Sequence, residues 1–307
     1  MNELEIIHHP QIEGLSMFFN TVDYRTPHLH KEWEVILVLE NPLAVNCGTE
    51  EYRLEPGQMI LFQPNEPHEF HKVDERVTFL CLQISPKILP EIPAVNIDGK
   101  LVHEHVKEDE LERLKENMAN GMSHYLKRED GVALYCVGNA CLLLYELLRK
   151  LPSHILSAEE TDSIDKRNAR LKRLIQFVDE NYMHKIRLTD FAEKEKCSVS
   201  YLSRFIKNTL NQNFQEYVTS VRFNCACKLI AQGEKKLLDV CVESGFSDYR
   251  YFSKEFQKQY HMTPEEYRNH LKHEKPERSV IRNSIHSAER FYSREDSVKL
   301  IKQFFML

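Results

Sequence analysis

The chain holds no unbroken apolar run of about 18 residues, the length a membrane-crossing helix needs. It also holds no C-x-x-C pair among its 8 cysteines. Cys225 and Cys227 lie two apart, which on a helix points them to different faces. With Cys47, Cys81, Cys136, Cys141, Cys197 and Cys241 scattered singly, this reads as reduced thiols of a cytoplasmic protein, not as a zinc site or a disulfide framework. The opening Met1-Asn2-Glu3-Leu4-Glu5 is acidic and lacks a signal-peptide layout. No low-complexity tract stands out. Positive net charge is absent too: the 307 residues sum to −6.

That last absence is misleading. Residues 166–272 carry 20 Lys and Arg against 13 Asp and Glu, a local +7, so the rest of the chain carries −13. A basic module joined to an acidic one is the charge pattern of a nucleic-acid binder fused to something else. The length itself suggests about two domains.

What is present falls into segments of different period. In residues 6–96, short β-branched or aromatic runs (Glu34–Leu39, Met59–Phe62, Val77–Leu82) alternate with breaks at Asn41-Pro42, Pro56-Gly57, Pro64-Asn65 and Pro67. Such spacing predicts a barrel or sandwich. From 106 to 151 the period becomes helical, with Leu111, Leu114, Met118 and Met122 on one helix. Leu134, Val137, Cys141, Leu144 and Leu148 follow on a second. The second is apolar on more than one face, which suits packing on the barrel, a dimer seam, or both. Residues 152–167 lose periodicity and read as a linker.

The basic module repeats one pattern. Leu188–Ala192 opens a short helix, Cys197–Ser200 makes a turn, and Ser198 or Ser200 can cap the next helix. That helix points Leu202, Phe205 and Ile206 inward and Ser200, Tyr201, Ser203, Arg204 and Lys207 outward. After a connecting helix, Phe214 to Ile230, the arrangement recurs. Leu237, Val240 and Cys241 precede a turn at Ser244-Gly245-Phe246-Ser247, where Ser247 or Asp248 can cap. A helix then buries Phe252 and Phe256 and exposes Tyr249, Arg250, Lys254 and Lys258. Short helix, tight turn and a polar helix bearing Arg and Lys is the helix-turn-helix pattern.

Leu188-Thr189-Asp190-Phe191-Ala192, Ser198 through Lys207, Gly245 through Phe256 and Met262-Thr263-Pro264-Glu265-Glu266-Tyr267-Arg268 together resemble the AraC-type (arabinose-regulator-like) transcription factors, in order and in spacing. Three positions depart from that pattern: Asn211 and His261 stand where glycine is usual, and Cys241 where alanine is. The resemblance implies double-stranded DNA as partner, a homodimer and, for an activator, contact with RNA polymerase. Ser200, Ser203 and Arg204 would read bases through the first unit. Tyr249, Arg250 and Lys254 would do so through the second. Lys207, Ser247 and Lys258 would touch phosphates.

The acidic half resembles the cupin barrel, on His28-x-His30-x3-Glu34 and Pro64-x3-His68. In metal-binding cupins these four positions hold a divalent ion such as Fe(II), Mn(II), Ni(II) or Zn(II). Two readings follow. In the favoured one the barrel is a sensor without cofactor or catalysis. His28, His30, Trp33, Glu34, Gln63 and His68 then line a small-molecule pocket, often for a sugar, with Trp33 either stacking on the ligand or, slightly preferred, in the core. In the alternative, His28, His30, Glu34 and His68 hold a metal in a cupin enzyme. The fold expected is α+β: a cupin-like barrel with a helical dimerisation segment (1–151), the linker (152–167), an all-α domain with two helix-turn-helix units (168–270) and a helical tail (271–307). In that tail Ser293–Asp296 starts a helix carrying Val298, Leu300, Ile301, Phe304 and Phe305, folded back on this chain or docked on a partner.

Overall fold

The computed structural model describes residues 11–89, 92–127, 129–231, 233, 235–260, 262–273, 280–283 and 287–305. Seven strands build the first module: β1 (Leu15–His28), β2 (Trp33–Glu40), β3 (Leu43–Cys47), β4 (Glu50–Leu54), β5 (Met59–Phe62), β6 (His68–Lys72) and β7 (Val77–Ile84). They pair in the order β4-β3-β6-β1-β7-β2-β5, every described pairing antiparallel, and make a nearly closed barrel. Asn41 and Asn65 take left-handed φ of 60° at two of the anticipated breaks, a conformation asparagine tolerates.

Strand alternation sorts the residues into two cores. Val22, Ile36, Val38, Phe62, Phe70, Phe79 and Cys81 fill the lumen. Trp33, Val35, Leu37, Leu80 and Leu82 face the other way, onto α1 (Glu108–Tyr125) and α2 (Val132–Lys150). Leu111, Leu114, Met118 and Met122 are buried on α1 as their spacing predicts. On α2 the buried stripe is Cys136, Ala140, Leu143, Leu144 and Leu147, rotated from the expected one. The rotation is set by α1: Cys136 Sγ lies 3.8 Å from Gly121 O, and Asn139 Nδ2 donates to Asn117 O at 3.1 Å. Leu134, 81% exposed, is thereby left outside. By length and composition alone, α2 is also the one described helix that would pass for a bilayer span.

Residues 152–167 are more ordered than a linker. A small sheet pairs β8 (Val95–Ile97) with β9 (Ser153–Ile155). Then α3 (Ala158–Asn181) begins, capped by Ser157 and Glu160 in a reciprocal box. Its first turns lack apolar periodicity because they lie in solvent, where the cap and the Asp162–Lys166 pair support them.

The helices α4 (Leu188–Glu195), α5 (Val199–Leu210), α6 (Phe214–Ala231), α7 (Leu237–Glu243), α8 (Tyr249–Tyr260) and α9 (Pro264–His273) complete the second module. It has two cores: one around Leu171, Leu174, Phe191, Leu202, Ile206 and Val218, the other around Phe223, Ala226, Val240, Phe252 and Phe256. Gly245 joins them. Its φ is +82°, and a Cβ there would stand 2.6 Å from Tyr182 O and 2.8 Å from Met183 Cα, so only glycine fits.

The tail returns to the barrel. Ahead of the expected helix it adds β10 (Val280–Asn283) and β11 (Ser287–Phe291), with β11 antiparallel to β1. Glu289 accepts from Asn20 Nδ2 at 2.8 Å and pairs with Arg25 at 2.5 Å in a buried ion pair. The expected helix, α10 (Arg294–Phe305), follows and buries Ile301 in the core under α1 and α2. Short runs broken by charge hid the two strands from periodicity.

Candidate functional site

Ser198 caps α5 by accepting from Tyr201 N at 3.2 Å. Asp248, not Ser247, caps α8, accepting from Tyr251 N at 2.8 Å. Each cap starts a helix whose inner face is mostly apolar (Leu202, Phe205, Ile206 and Leu210 on α5, Phe252 and Phe256 on α8) and whose outer face is free to carry polar groups. Ser200, Ser203, Arg204 and Lys207 are all exposed on α5. Ser247, Tyr249, Arg250, Lys254 and Lys258 are all exposed on or beside α8. Lys207 Nζ is turned back onto Asn211 O at 2.7 Å, the carbonyl at the end of α5. Asn211 itself takes φ 53°, so asparagine serves at that usual glycine position. His261 lies outside the described residues.

The sequence reading missed a group of cations on α3. Lys166, Arg167, Arg170 and Arg173 line, with Tyr201 and Arg204 of α5, a groove of about 870 Å³. Arg170 donates to Tyr201 Oη at 2.6 Å, and its guanidinium lies 5.2 Å from that ring's centre. Arg173 grips Glu195 with two bonds, of 2.6 and 2.8 Å, tying α3 to α4. The i, i+3 spacing of 167, 170 and 173 was the available signal, obscured by assigning 167 to a linker.

In the barrel, four of the six anticipated ligand-lining residues come together. His28, His30, Glu34 and His68 are 1–3% exposed. Glu34 Oε2 lies 3.4 Å from His30 Nε2 and 3.1 Å from His68 Nε2. Its Oε1 accepts from Gln83 Nε2 at 2.8 Å and from Cys81 Sγ at 3.2 Å. Burial raises the Glu34 pKa, but the adjacent His30 and His68 outweigh it and hold the carboxyl well below its ordinary range. Burial, then Arg25 and the neighbouring histidines, hold the His28 imidazole well below its ordinary 6.5, so it is neutral.

The other two residues lie elsewhere. Trp33 precedes Glu34 on β2 and so points out of the lumen, into the core shared with α1 and α2. Gln63 is engaged beside β8, accepting from Ile97 N at 2.6 Å and donating to Asn96 Oδ1 at 3.2 Å.

The two modules meet next to the histidines. Leu29, between His28 and His30, is fully buried and belongs to the core of the first helix-turn-helix unit, with Leu171, Phe205 and Leu210. Asn65 N donates to His30 O at 2.7 Å, and Asn65 O accepts from Asn168 Nδ2 of α3 at 2.6 Å. Asn211 Nδ2 reaches Glu51 Oε1 at 2.6 Å.

A nearly closed antiparallel barrel with polar groups inside, joined to two capped helix-turn-helix units, defines a DNA-binding regulator with a ligand-binding domain. The comparisons agree. The family described as "AraC-like ligand binding domain" matches residues 9–130, and the one described as "Helix-turn-helix domain" matches residues 191–270. The chain belongs to the AraC-type transcription regulators. It is 25% identical over 225 residues to the uncharacterized HTH-type transcriptional regulator YbfI of Bacillus subtilis, covering 72% of this chain and 78% of that one. It is 19% identical over 275 residues to the melibiose operon regulatory protein of Escherichia coli, covering 80% and 86%. Among solved structures, ToxT of Vibrio cholerae aligns at TM-score 0.43 and 14% identity, over 85% of this chain and all of that one.

Proposed function

We propose that this regulator reads DNA with α5 and α8 and passes the state of the barrel to them through Leu29. Arg204 and Arg250 are the base readers, suited to bidentate contact with guanine. Ser200, Ser203, Tyr249 and Lys254 flank them, and Lys207, Ser247 and Lys258 hold phosphates. Lys166, Arg167 and Arg170 extend the phosphate surface along α3. The effector is a small molecule, and the barrel carries no catalysis of its own. A carbohydrate effector is supported by the names of two relatives, the melibiose operon regulatory protein and a lactose operon transcription activator of Staphylococcus xylosus.

The observation that carries the proposal is the position of Leu29. One strand end presents His28 and His30 to the lumen and Leu29 to the reading module's core. A ligand that binds two arrangements of this segment with different affinity would bias how α3 and α5 dock.

A homodimer through α2 is part of the reading. Leu134, Leu142 and Tyr145 are 81%, 61% and 55% exposed, an apolar face a soluble chain rarely leaves open. The test is selection from random DNA duplexes with the full chain, followed by titration of the selected duplex with candidate sugars. Enrichment of one sequence, with affinity changed by a sugar, is the expected result. Affinity that is the same for random and selected duplexes would refute DNA reading; enrichment indifferent to every sugar would refute the carbohydrate effector.

A further inference from the structure

We infer that the segment Ile97–Leu101 is a latch on the open edge of the barrel, and that its release also frees the leading end of α3. Opening the barrel there and loosening the first reading unit are then one event. The inference rests on the reading of the barrel as a sensor and adds a second route beside Leu29.

The strand path β4-β3-β6-β1-β7-β2-β5 ends at β5, so one edge of β5 has no strand beside it on that path. Backbone groups on such an edge need partners when they are covered. The segment supplies them. Leu61 N donates to Lys100 O at 3.2 Å, Ile60 and Leu101 form an antiparallel bridge, and Leu101 joins the lumen core.

Polar groups fasten it. Lys100, 4% exposed, is the one buried lysine among the described residues. Its Nζ donates to Ile97 O at 3.1 Å and pairs with Glu66 Oε1 at 2.6 Å. Gln63 accepts from Ile97 N and donates to Asn96. Gln63 and Glu66 both lie between β5 and β6, and that turn also holds α3: Asn65 O accepts from the buried Asn168 Nδ2. A buried ion pair adds little stability over an apolar pair of the same volume, whereas loss of one partner is costly. The Lys100–Glu66 pair therefore specifies the closed geometry without making it very stable.

On its other side the segment is tied to the chain entering α3. Asp98 N and Gly99 N donate to Pro152 O at 2.8 and 3.3 Å, β8 pairs with β9, and Leu156 N donates to Ala94 O at 2.8 Å, one residue before the Ser157 cap. Gly99 permits this approach, since a Cβ there would stand 2.3 Å from His105 Nε2 and 3.0 Å from Pro152 Cδ. All of β9 is exposed. A two-stranded sheet this short has little stability of its own and is among the parts of a fold that open first.

The test is amide hydrogen exchange, resolved by NMR on the full chain without DNA or added ligand. Two variants open the latch from opposite ends. Lys100→Met removes the buried cation on the barrel side at nearly constant volume. His154→Pro removes a backbone donor from the exposed β9. With Lys100→Met the amides of Leu156 and Thr161, bonded on the far side to Ala94 O and Ser157 O, should exchange about tenfold faster. With His154→Pro the amides of Ile97 and Leu61, bonded to Gln63 and Lys100, should accelerate by about the same factor. Amides shared between β1 and β7 should keep their rates in both. Acceleration confined to the altered side in either variant would overturn the inference. Should Lys100→Met also speed exchange throughout β1 and β7, it has lost the fold, and His154→Pro, made at an exposed residue, decides alone. Neither measurement involves DNA, so the latch can fail with the regulator reading intact, and selection of duplexes tests that reading separately.

Discussion

The two modules treat charge in opposite ways. The barrel takes a carboxylate and three imidazoles out of water and fixes each with a hydrogen bond or a close contact. The reading helices bury mainly phenylalanine, leucine and isoleucine on their inner faces, with Thr209 and Glu255 beside them, and leave every cation in solvent. A buried polar cluster is held by its surroundings, so changing one member is felt by the whole fold. A displayed side chain on a capped helix can change with little effect on stability. Evolution can therefore retarget the DNA half by single substitutions, while the barrel half must change as a set.

Glu34→Ala should break this comparison most visibly. It leaves buried histidines without their anion and is expected to cost about 3–5 kcal/mol, read by urea unfolding of the metal-free chain. A loss below 1 kcal/mol would show that the cluster is solvated. Next comes Leu29→Ala, expected to cost about 2–5 kcal/mol through the cavity it leaves between the modules. Because Leu29 belongs to the reading module's core, calorimetry should show the two modules melting apart; a single unchanged transition would mean that the core does not depend on it.

How much of this was legible depends on what kind of signal each residue carries. The helix-turn-helix units were legible because their inward residues repeat at helical spacing and their caps sit at fixed offsets. Ser198 does what its place suggests, and Asp248 was one of two named choices. The histidine cluster was legible as spacing, since residues two apart in extended chain share a face: His28 ends β1, His30 follows it, and Glu34 is the second residue of β2. Trp33 was separable from Glu34 by strand parity alone, because neighbours on a strand face opposite ways. Gln63 was not, because its partners Asn96 and Ile97 come from a segment more than thirty residues on. The strands β10 and β11 were hidden for the same reason: their stability comes from β1, some 260 residues away, and local pattern carries no trace of it. The role of Leu29 was invisible because a single leucine between two histidines has no period.

Acid should separate the modules by a smaller amount. His28 is neutral when folded and must gain a proton on unfolding below its ordinary 6.5, so its contribution falls as pH drops through that value. Glu34, with its folded pKa depressed, contributes stability above its ordinary 4.5 that is lost as pH falls below it, towards its folded pKa. Unfolding midpoints in metal-free buffer should decline below about pH 6.5 and decline further below about 4.5. His28→Gln should flatten the first step, and an unchanged first step would assign it to another group. The smallest expected effect is on the displayed side. Lys258→Ala should leave the melting temperature alone and lower the salt-dependence slope of DNA binding by about 1, the signature of one phosphate contact.

The central claim is that α5 and α8 each read their own segment of one DNA face. Selection from random duplexes, repeated with Arg204→Ala and with Arg250→Ala, tests it most directly. The unmutated chain should enrich two short motifs about one helical turn apart. Each variant should lose preference at one position, in a different motif, with a penalty of about 1–3 kcal/mol there. If both variants lose the same position, or if both only weaken binding to all sequences alike, the two helices do not read DNA as described.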